Sequence, residues 1–313
     1  MRLATLLILT LLGVSFAEDY VAINSNDGRD VLSGIFYANV KGLPVKFMPV
    51  PGADPDVFSA KIGSGHDVLL IQGSVPASTF VESSLRDRNN TIEIYASSDG
   101  GATNLELAKR SGASGFIIAD SAYSDSALSV IAYAAKTKSY VILADKNNIA
   151  EVKEIVRGRQ VTLYGLLDAE VRDQLAEFSP QVIGKGEDKF EDNAEIAGKA
   201  MAEFGIDRIV IVDGSFVEEG MASADQPVVL SGRIVPETTY EFLKRSVRQG
   251  KLAQVMLIGN ELVIPIYDMR ERMEEEFASE GLNKSFGIVV KFAQIVPAAG
   301  SGVLTLDTFH LPA

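Results

Sequence analysis

The chain has 313 residues, 47% of them hydrophobic and 23% charged, a composition that supports packed cores and excludes a disordered protein. Its formal net charge is −13, and because such a surface repels phosphate backbones, nucleic acid is not expected as a partner. Cysteine is absent and only two histidines occur, which excludes disulfides, thiolate metal sites and cysteine nucleophiles. We therefore expect a protein that is not an enzyme, with no catalytic and no cofactor-binding residues.

The first 17 residues have the pattern of a secretory signal peptide. Arg2 precedes an apolar run from Leu3 to Val14, and Ser15-Phe16-Ala17 places small residues before a cleavage site at Glu18. The run of about 12 residues is shorter than the roughly 20 needed to span a bilayer, which favours cleavage over the alternative of an uncleaved anchor. Cleavage removes Arg2 and leaves a charge of 28 − 42 = −14. We expect an extracellular, cell-surface protein with no membrane span in the mature chain.

From residue 18 onward the sequence repeats one α/β unit three times, over residues 18–100, 101–190 and 191–280. Each unit has three short apolar strands in the same order. The first strands are Tyr20–Ile23, Gly115–Ile118 and Arg208–Val212, the second are Pro44–Phe47, Tyr140–Leu143 and Pro227–Leu230, and the third are Asp67–Ile71, Gln160–Tyr164 and Gln254–Ile258. Because these runs do not alternate with polar residues and are separated by helical stretches, they predict parallel sheets with helices on both faces. The predicted fold class is α/β, with three tandem small units.

Helices are predicted after the first strand in the first two units, beginning near Asp30 and Asp125, where an acidic residue suits a helix start. In the third unit the corresponding helix is predicted to shrink to a short stretch around residues 218–224. A further helix at the end of the second unit is predicted to link it to the third.

The last segment, residues 281–313, departs from the repeat. Two apolar runs, Ile288–Phe292 and Val303–Leu306, are separated by Pro297 and by Gly300-Ser301-Gly302. This arrangement predicts a C-terminal β-hairpin or pair of strands. Such an element is expected either to cap the last unit or to pair with another chain.

Two connecting helices share the pattern Asn-x-Glu-x-Ala, at Asn104–Ala108 and Asn193–Ala197, 89 residues apart. The second copy lies in the stretch Gly186–Ala197, which runs glycine, acidic, basic, aromatic, small polar, alanine. Its acidic, basic, aromatic and small polar members are Asp188, Lys189, Phe190 and Asn193. This stretch resembles the linking motif of the type-2 cell-wall-binding repeat family, and Asp125–Leu128 resembles the Asp-Ala-Leu helix of the same family. The resemblance covers roughly residues 19–270 as three units.

The resemblance implies a surface protein, either bacterial and cell-wall-anchored or an archaeal S-layer or S-layer-associated protein. In bacterial members it implies three repeats packed as a pseudo-threefold trefoil that holds an anionic wall polymer. The acidic, cysteine-free composition and the β tail are closest to the archaeal proteins. We therefore expect a non-enzymatic, exported, S-layer or cell-wall-associated protein, with an envelope polymer or other surface-layer subunits as partners. The alternative is an extracytoplasmic glycan- or solute-binding protein.

Polar turns follow the first strand of every unit, at the sheet edge where α/β folds place ligands. The residues concerned are Asn24, Asp27, Asp120, Ser124, Asp213 and Ser215. A sugar or a cation could bind there, but the same residue types also form turns and cap helices, which is the alternative function of these side chains.

Carboxylates also cluster around the linking motif, at Glu187, Asp188, Glu191 and Asp192. Oxygen ligands of this kind bind Ca²⁺, which would bridge neighbouring copies in an envelope array, and a solvated acidic face is the alternative. The sequons at Asn89 and Asn283 fit an exported chain and are candidate glycosylation sites.

Overall fold

The computed structural model describes residues 18–48, 51–122, 124–291 and 295–297. The predicted signal peptide and the second predicted strand of the C-terminal hairpin, Val303–Leu306, lie outside these residues. Three four-stranded parallel sheets alternate with helices along the chain, which confirms the predicted α/β fold class with three tandem units.

The first unit contains a sheet of strand order β2-β1-β3-β4. Its strands are β1 (Tyr20–Asn24), β2 (Val45–Phe47), β3 (Asp67–Gln72) and β4 (Thr91–Ala96), and its helices are α1 (Gly28–Lys41), α2 (Pro55–Ile62), α3 (Val81–Asp87) and α4 (Gly100–Ser111). All five residues of β1 are buried, as expected for a central strand covered on both faces. The last helix, α4, runs between the first unit and the second.

The second unit repeats this arrangement with the strand order β6-β5-β7-β8. Its strands are β5 (Gly115–Asp120), β6 (Ser139–Ala144), β7 (Gln160–Tyr164) and β8 (Gln181–Ile183), and its helices are α5 (Ser124–Thr137), α6 (Ile149–Val156), α7 (Ala169–Leu175) and α8 (Lys189–Phe204). The helix α8 occupies the same position after the second unit as α4 does after the first.

The third unit has the strand order β11-β9-β12-β13 and an additional two-stranded antiparallel sheet, β10-β14. Its strands are β9 (Arg208–Val212), β10 (Phe216–Glu218), β11 (Val228–Leu230), β12 (Gln254–Ile258), β13 (Gly287–Lys291) and β14 (Ile295–Pro297), and its helices are α9 (Glu237–Arg248) and α10 (Val263–Ser279). The predicted loss of the first helix in this unit is confirmed, because β10 and a 3-10 turn at Glu219–Met221 stand between β9 and β11.

Of the predicted C-terminal pair of strands, the structure describes the first, which joins the sheet of the third unit, while the second lies outside the described residues. The first predicted strand, Ile288–Phe292, forms most of β13, which pairs in parallel with β12 from Gln254↔Gly287 to Ile258↔Lys291. The next described strand, β14, pairs antiparallel with β10 and not with β13. The physical reason is that the open side of β12 needs a fourth strand, as β3 and β7 do in the other units, and α10 provides the long crossover that a parallel strand requires.

The three units share the largest of their apolar cores, and two smaller cores lie between α8 and the third unit and within the first unit. The largest buried cluster includes Ile35 of α1, Ile131 of α5, Val217 of β10 and Met221 of the 3-10 turn, so it draws on every unit. Helix α1 packs against α5 and β10, and α5 packs against β11. The ring closes between the third and first units, where Glu219 forms ion pairs with Lys46 and Lys61. The units therefore form one packed body around the positions of their first helices.

This shared core predicts that the three units unfold together. Replacing Ile131, which is 1% exposed, by alanine is expected to lower the free energy of unfolding by about 2–5 kcal/mol through loss of apolar contact and formation of a cavity. Urea denaturation followed by far-UV and tyrosine signals measures this, and both signals should fall in one transition. The matched control is Ile234→Ala, because Ile234 is 87% exposed. Separate transitions would contradict a common core.

Candidate functional site

The linking helix α8 attaches to the third unit through the side chain of Asn193. The Nδ2 atom of Asn193 donates to the carbonyl oxygen of Val228 at 2.8 Å, and the Oδ1 atom accepts from the N–H of Leu230 at 2.7 Å. Nδ2 also donates to Ser129 Oγ of α5 at 2.9 Å. Val228 and Leu230 lie on β11, the edge strand of its sheet. One buried carboxamide therefore joins the first helix of the second unit to the edge strand of the third.

Asn104 of α4 makes the same contacts one unit earlier. Its Nδ2 atom donates to the carbonyl oxygen of Val141 at 3.0 Å and to Ser33 Oγ at 3.1 Å, and its Oδ1 atom accepts from the N–H of Leu143 at 2.8 Å. In a parallel sheet one residue donates its N–H to one neighbour and accepts from the N–H two positions further on. Each carboxamide thus takes the place of one residue of a further parallel strand and satisfies the free edge of β6 or β11.

Removing either carboxamide is expected to destabilise the fold. Asn193→Ala leaves the carbonyl of Val228 and the N–H of Leu230 without partners, and each unsatisfied buried group costs about 1–3 kcal/mol, so a loss of roughly 2–5 kcal/mol is expected. Asn193→Asp keeps the acceptor but loses the donor and also destabilises. The exposed Asn147 supplies the control Asn147→Ala. Equal urea midpoints for Asn193→Ala and Asn147→Ala would refute this role.

The other predicted motif residues surround the start of α8. Asp188 caps the helix by accepting from the N–H of Phe190 at 2.8 Å. The Nζ atom of Lys189 donates to Asp125 Oδ2 of α5 at 2.9 Å, and it also lies 5.2 Å from the ring centroid of Phe190. The side chain of Asp125 is only 15% exposed. The one basic residue of the motif is therefore paired with an acid of α5, the first helix of the same unit.

Asp192, which follows Lys189 by less than one helical turn, holds the loop before α8. Its Oδ1 atom accepts from the backbone N–H of Lys185 at 2.7 Å, and its Oδ2 atom accepts from that of Gly186 at 3.0 Å. Burial raises the pKa of Asp192, although these backbone donors oppose the shift. Gly184 is required beside it, because φ is +80° and an added Cβ would lie 2.5 Å from Asp192 Oδ1. Asp192 therefore fixes the conformation of the loop that precedes α8.

A small cavity of about 130 Å³ lies at this junction between the second and third units. Its charged lining consists of Asp125, Glu187, Lys189 and Asp192, three acids and one base. Of the four clustered carboxylates predicted as cation ligands, Asp188 and Asp192 are engaged with backbone N–H groups, while Glu187 and Glu191 are exposed. Within residues 18–291, apart from the undescribed positions, no group of three or more acids or histidines is placed to hold a metal ion.

In the first unit the strand-end turn is held by its own polar side chains. Asn24 is buried, and its carboxamide donates to Ser78 O at 2.8 Å and accepts from Ser78 N at 2.9 Å. Asp27 caps α1 by accepting from the N–H of Arg29 at 2.9 Å and also from Arg29 Nη2 at 2.6 Å. Burial alone would raise the pKa of Asp27, but the hydrogen bonds and charge of Arg29 outweigh it and hold this pKa below its ordinary value.

In the turns of the second and third units, the acidic side chains likewise accept hydrogen bonds from the backbone. Asp120 is buried and accepts from the N–H of Ala122 at 2.8 Å, and Asp213 accepts from that of Ser215 at 2.8 Å. Ser215 is exposed, and Ser124 is the first residue of α5. The six predicted residues remain in three separate turns. Their hydrogen bonds correspond to the alternative of turn formation and capping, and ligand binding at these turns stays a prediction.

The pKa shift of Asp27 gives a pH-dependent test. Because the folded-state pKa lies below the unfolded value of about 3.9, the ionised carboxylate stabilises the fold above that pH, and the contribution is lost as the pH falls through the folded pKa. Asn also caps helices, so Asp27→Asn removes mainly the Arg29 pair and is expected to cost roughly 0.5–1 kcal/mol near neutral pH. Urea titrations at pH 7 and pH 3 should show this difference shrinking at pH 3. The control is Asp173→Asn on exposed α7, and a pH-independent difference would contradict the assignment.

Among the larger hollows on the surface, two lie at the strand ends of the second unit and at the meeting of the three units. One of about 450 Å³ lies at the strand ends of the second unit and is lined by Asp120, Asp145 and Asp168. The oxygens of Asp145 accept from Ser121 Oγ and from the N–H of Asn147, so they already serve the turns. The other hollow, of about 580 Å³, lies where all three units meet.

Comparisons with known proteins connect this architecture to cell wall proteins. Cwp8 from Clostridium difficile superposes with a TM-score of 0.62 at 17% sequence identity, over 83% of this chain and 48% of that one. Cwp6 from the same organism gives 0.54 at 15% identity, over 88% and 54%. This chain spans about half the length of each. No protein-family model and no curated protein sequence matches the chain.

At these identities the likeness shows a shared fold. Both neighbours are cell wall proteins, and their fold agrees with the cell-wall-binding repeat resemblance seen in the sequence. The likeness to archaeal surface-layer proteins stays a prediction. Among the residues that the structure describes, no helix is long and apolar enough to cross a membrane.

Sequence reasoning did not assign the partners of the motif residues. Ser33 and Ser129 meet the two linking asparagines, and Asp125 meets Lys189. For the contacts of the two asparagines, the one available signal in the sequence was that the pattern Asn-x-Glu-x-Ala occurs twice. The ion pair had no signal of its own, because 64 residues separate its members.

Proposed function

We propose that this protein is an exported, non-enzymatic component of the cell surface that is held at the cell envelope. The observation that carries the proposal is the three-unit fold, which is shared with two cell wall proteins over more than four fifths of this chain. The signal-peptide pattern of residues 1–17 adds to it. An S-layer or cell-wall-associated role is the specific form that we propose.

The charge of the linking junctions argues against an anionic polymer as the main ligand. Lys189 is paired with Asp125, and the small cavity beside it has more acids than bases. In the first unit Arg29 is likewise paired with Asp27. A negatively charged chain would meet net repulsion at the cavity and an already neutralised cation at Arg29. Contacts with other surface-layer subunits or bridging through divalent cations fit this surface better.

The exposed pair Glu187 and Glu191 supplies carboxylates for such bridging. Both lie at the start of α8, and neither has a hydrogen-bond partner among the described side chains, whereas Asp188 and Asp192 are engaged. Bridging needs direct carboxylate ligands at about 2.4 Å from Ca²⁺, while monovalent salt acts only by screening, over about 10 Å at 0.1 M. Chelation therefore separates the two mechanisms.

Co-sedimentation with isolated envelopes tests the proposal. The protein is expected to pellet with envelopes in millimolar Ca²⁺, and chelation at fixed ionic strength is expected to release most of it. Glu187→Gln/Glu191→Gln should reduce the pelleted fraction severalfold, because two bridging ligands are lost. The matched control is Glu170→Gln/Asp173→Asn on exposed α7.

The outcomes separate the possible functions. Pelleting that ignores the chelator would overturn cation bridging and keep envelope association. Release of a soluble monomer from the cell surface, with no pelleting under any condition, would overturn the envelope role. It would favour the second candidate, an extracytoplasmic glycan- or solute-binding protein, for which the strand-end hollow of about 450 Å³ in the second unit is the supporting feature.

A further inference from the structure

The edge strand of the first unit, β2, has an outer side that corresponds to those of β6 and β11. Val21 donates its N–H to Pro44 O, and Met48 donates its N–H to Ile23 O, so residues 44, 46 and 48 face β1. The polar groups of Val45 and Phe47 therefore point away from the sheet, because backbone direction alternates along a strand.

These outward groups occupy the places that asparagine satisfies elsewhere. By register, Val45 O corresponds to the carbonyls of Val141 and Val228, and the N–H of Phe47 corresponds to those of Leu143 and Leu230. No residue in the described ranges hydrogen-bonds to Val45 O or to the N–H of Phe47. Phe47 is only 2% exposed, so its N–H lies in a buried environment that ordinarily demands a partner.

The order of contacts in the ring indicates where the partner comes from. At the first two junctions the linking element packs on the first helix of its own unit and then on the second strand of the next, as α4 does on α1 and β6, and α8 on α5 and β11. At the third junction β14 packs on β10, which stands in the first-helix position. The next contact in this order is β2.

The space beside β2 is open to receive a segment. The hollow of about 580 Å³ at the meeting of the three units is lined by Pro44, Val45 and Lys46, together with residues of the other two units. Asn39 also lines it, and the buried Nδ2 atom of Asn39 has no acceptor among the described residues. Val45 O and Asn39 Nδ2 along this hollow thus lack partners among the described residues, as does the N–H of Phe47, one residue beyond the lining residue Lys46.

We propose that the segment Val303–Leu306 of this chain pairs with the outer edge of β2. There its backbone would hydrogen-bond to Val45 O and to the N–H of Phe47, as the side chains of the linking asparagines bond to β6 and β11. The segment Val-Leu-Thr-Leu has three apolar residues, and its Val and Thr are β-branched, a residue type enriched in strands. The five residues between Pro297 and Val303 span up to about 17 Å, and they include two glycines that let the chain turn. Pro297, where the chain leaves β14, pairs with Phe216 of β10, three residues before Glu219, and Glu219 forms an ion pair with Lys46 of β2.

Amide hydrogen exchange of the intact chain tests this pairing. The amide of Phe47 is expected to exchange as slowly as those of Leu143 and Leu230. Deleting residues 298–313, which leaves β14 in place, should accelerate exchange at Phe47 on the order of 100-fold, while Leu143 and Leu230 stay protected as internal controls. Fast exchange at Phe47 in the intact chain, or protection that survives the deletion, would overturn the proposal.

Disulfide trapping gives a second measurement that does not depend on the deleted protein folding. The natural chain has no cysteine, so an engineered pair cannot reshuffle. Val45→Cys combined in turn with a cysteine at each of residues 303–306 should give one intramolecular disulfide, detected by intact mass. The control is Thr91→Cys on β4, at the opposite edge of the same sheet and roughly 14 Å from β2. Only intermolecular disulfides would assign the edge to a second copy and overturn the proposal.

Discussion

The architecture depends on one interaction, a side-chain carboxamide that satisfies the open edge of a parallel sheet. A parallel sheet of four strands leaves backbone groups along its outer strands, and buried groups of this kind are costly when unpaired. Asn104 and Asn193 supply both a donor and an acceptor at the required spacing. Each asparagine also contacts a serine on the first helix of its own unit, while the strand that it completes belongs to the next unit. The same side chain therefore fixes the relative position of two units.

Once the units are joined in this way, the polar residues of the linking motif have little freedom to act on a ligand. Asp188 caps a helix, Asp192 holds a loop, and Lys189 neutralises Asp125. Most polar residues of the motif therefore serve contacts within the protein, and its exposed acids are Glu187 and Glu191. This division explains how a sequence pattern typical of wall-binding repeats can occur on a surface with an excess of acids.

The central strands were predictable, and their pairing partners were only partly so. The predicted strands Arg208–Val212, Gln160–Tyr164 and Gln254–Ile258 have the observed bounds, because unbroken apolar runs define strands buried on both faces. The fourth strands β4 and β8 were missed, since Thr91–Ala96 alternates polar and apolar residues at a half-exposed edge and β8 has only three residues. The pairing of Ile288–Phe292 with β12 was not predicted, because strand pairing depends on the third dimension. For Asn193 the motif was visible, but its function follows from the register of a strand 35 residues away.

The late position of β13 and β14 has a consequence for the order of folding along the chain. The sheets of the first and second units have all their strands by residue 183, whereas the third sheet awaits residues 287–291, and β10 awaits a partner about 80 residues downstream. Closing a loop over such a span costs more chain entropy than pairing neighbouring segments, so it is slower. A chain that emerges from its N-terminus can thus form its first two sheets early, with α5 packed on α1. The apolar side of β10 and the open edge of β12 remain exposed until residues 287–297 are available to pair with them. During this interval the chain exposes the most apolar surface for association with other chains.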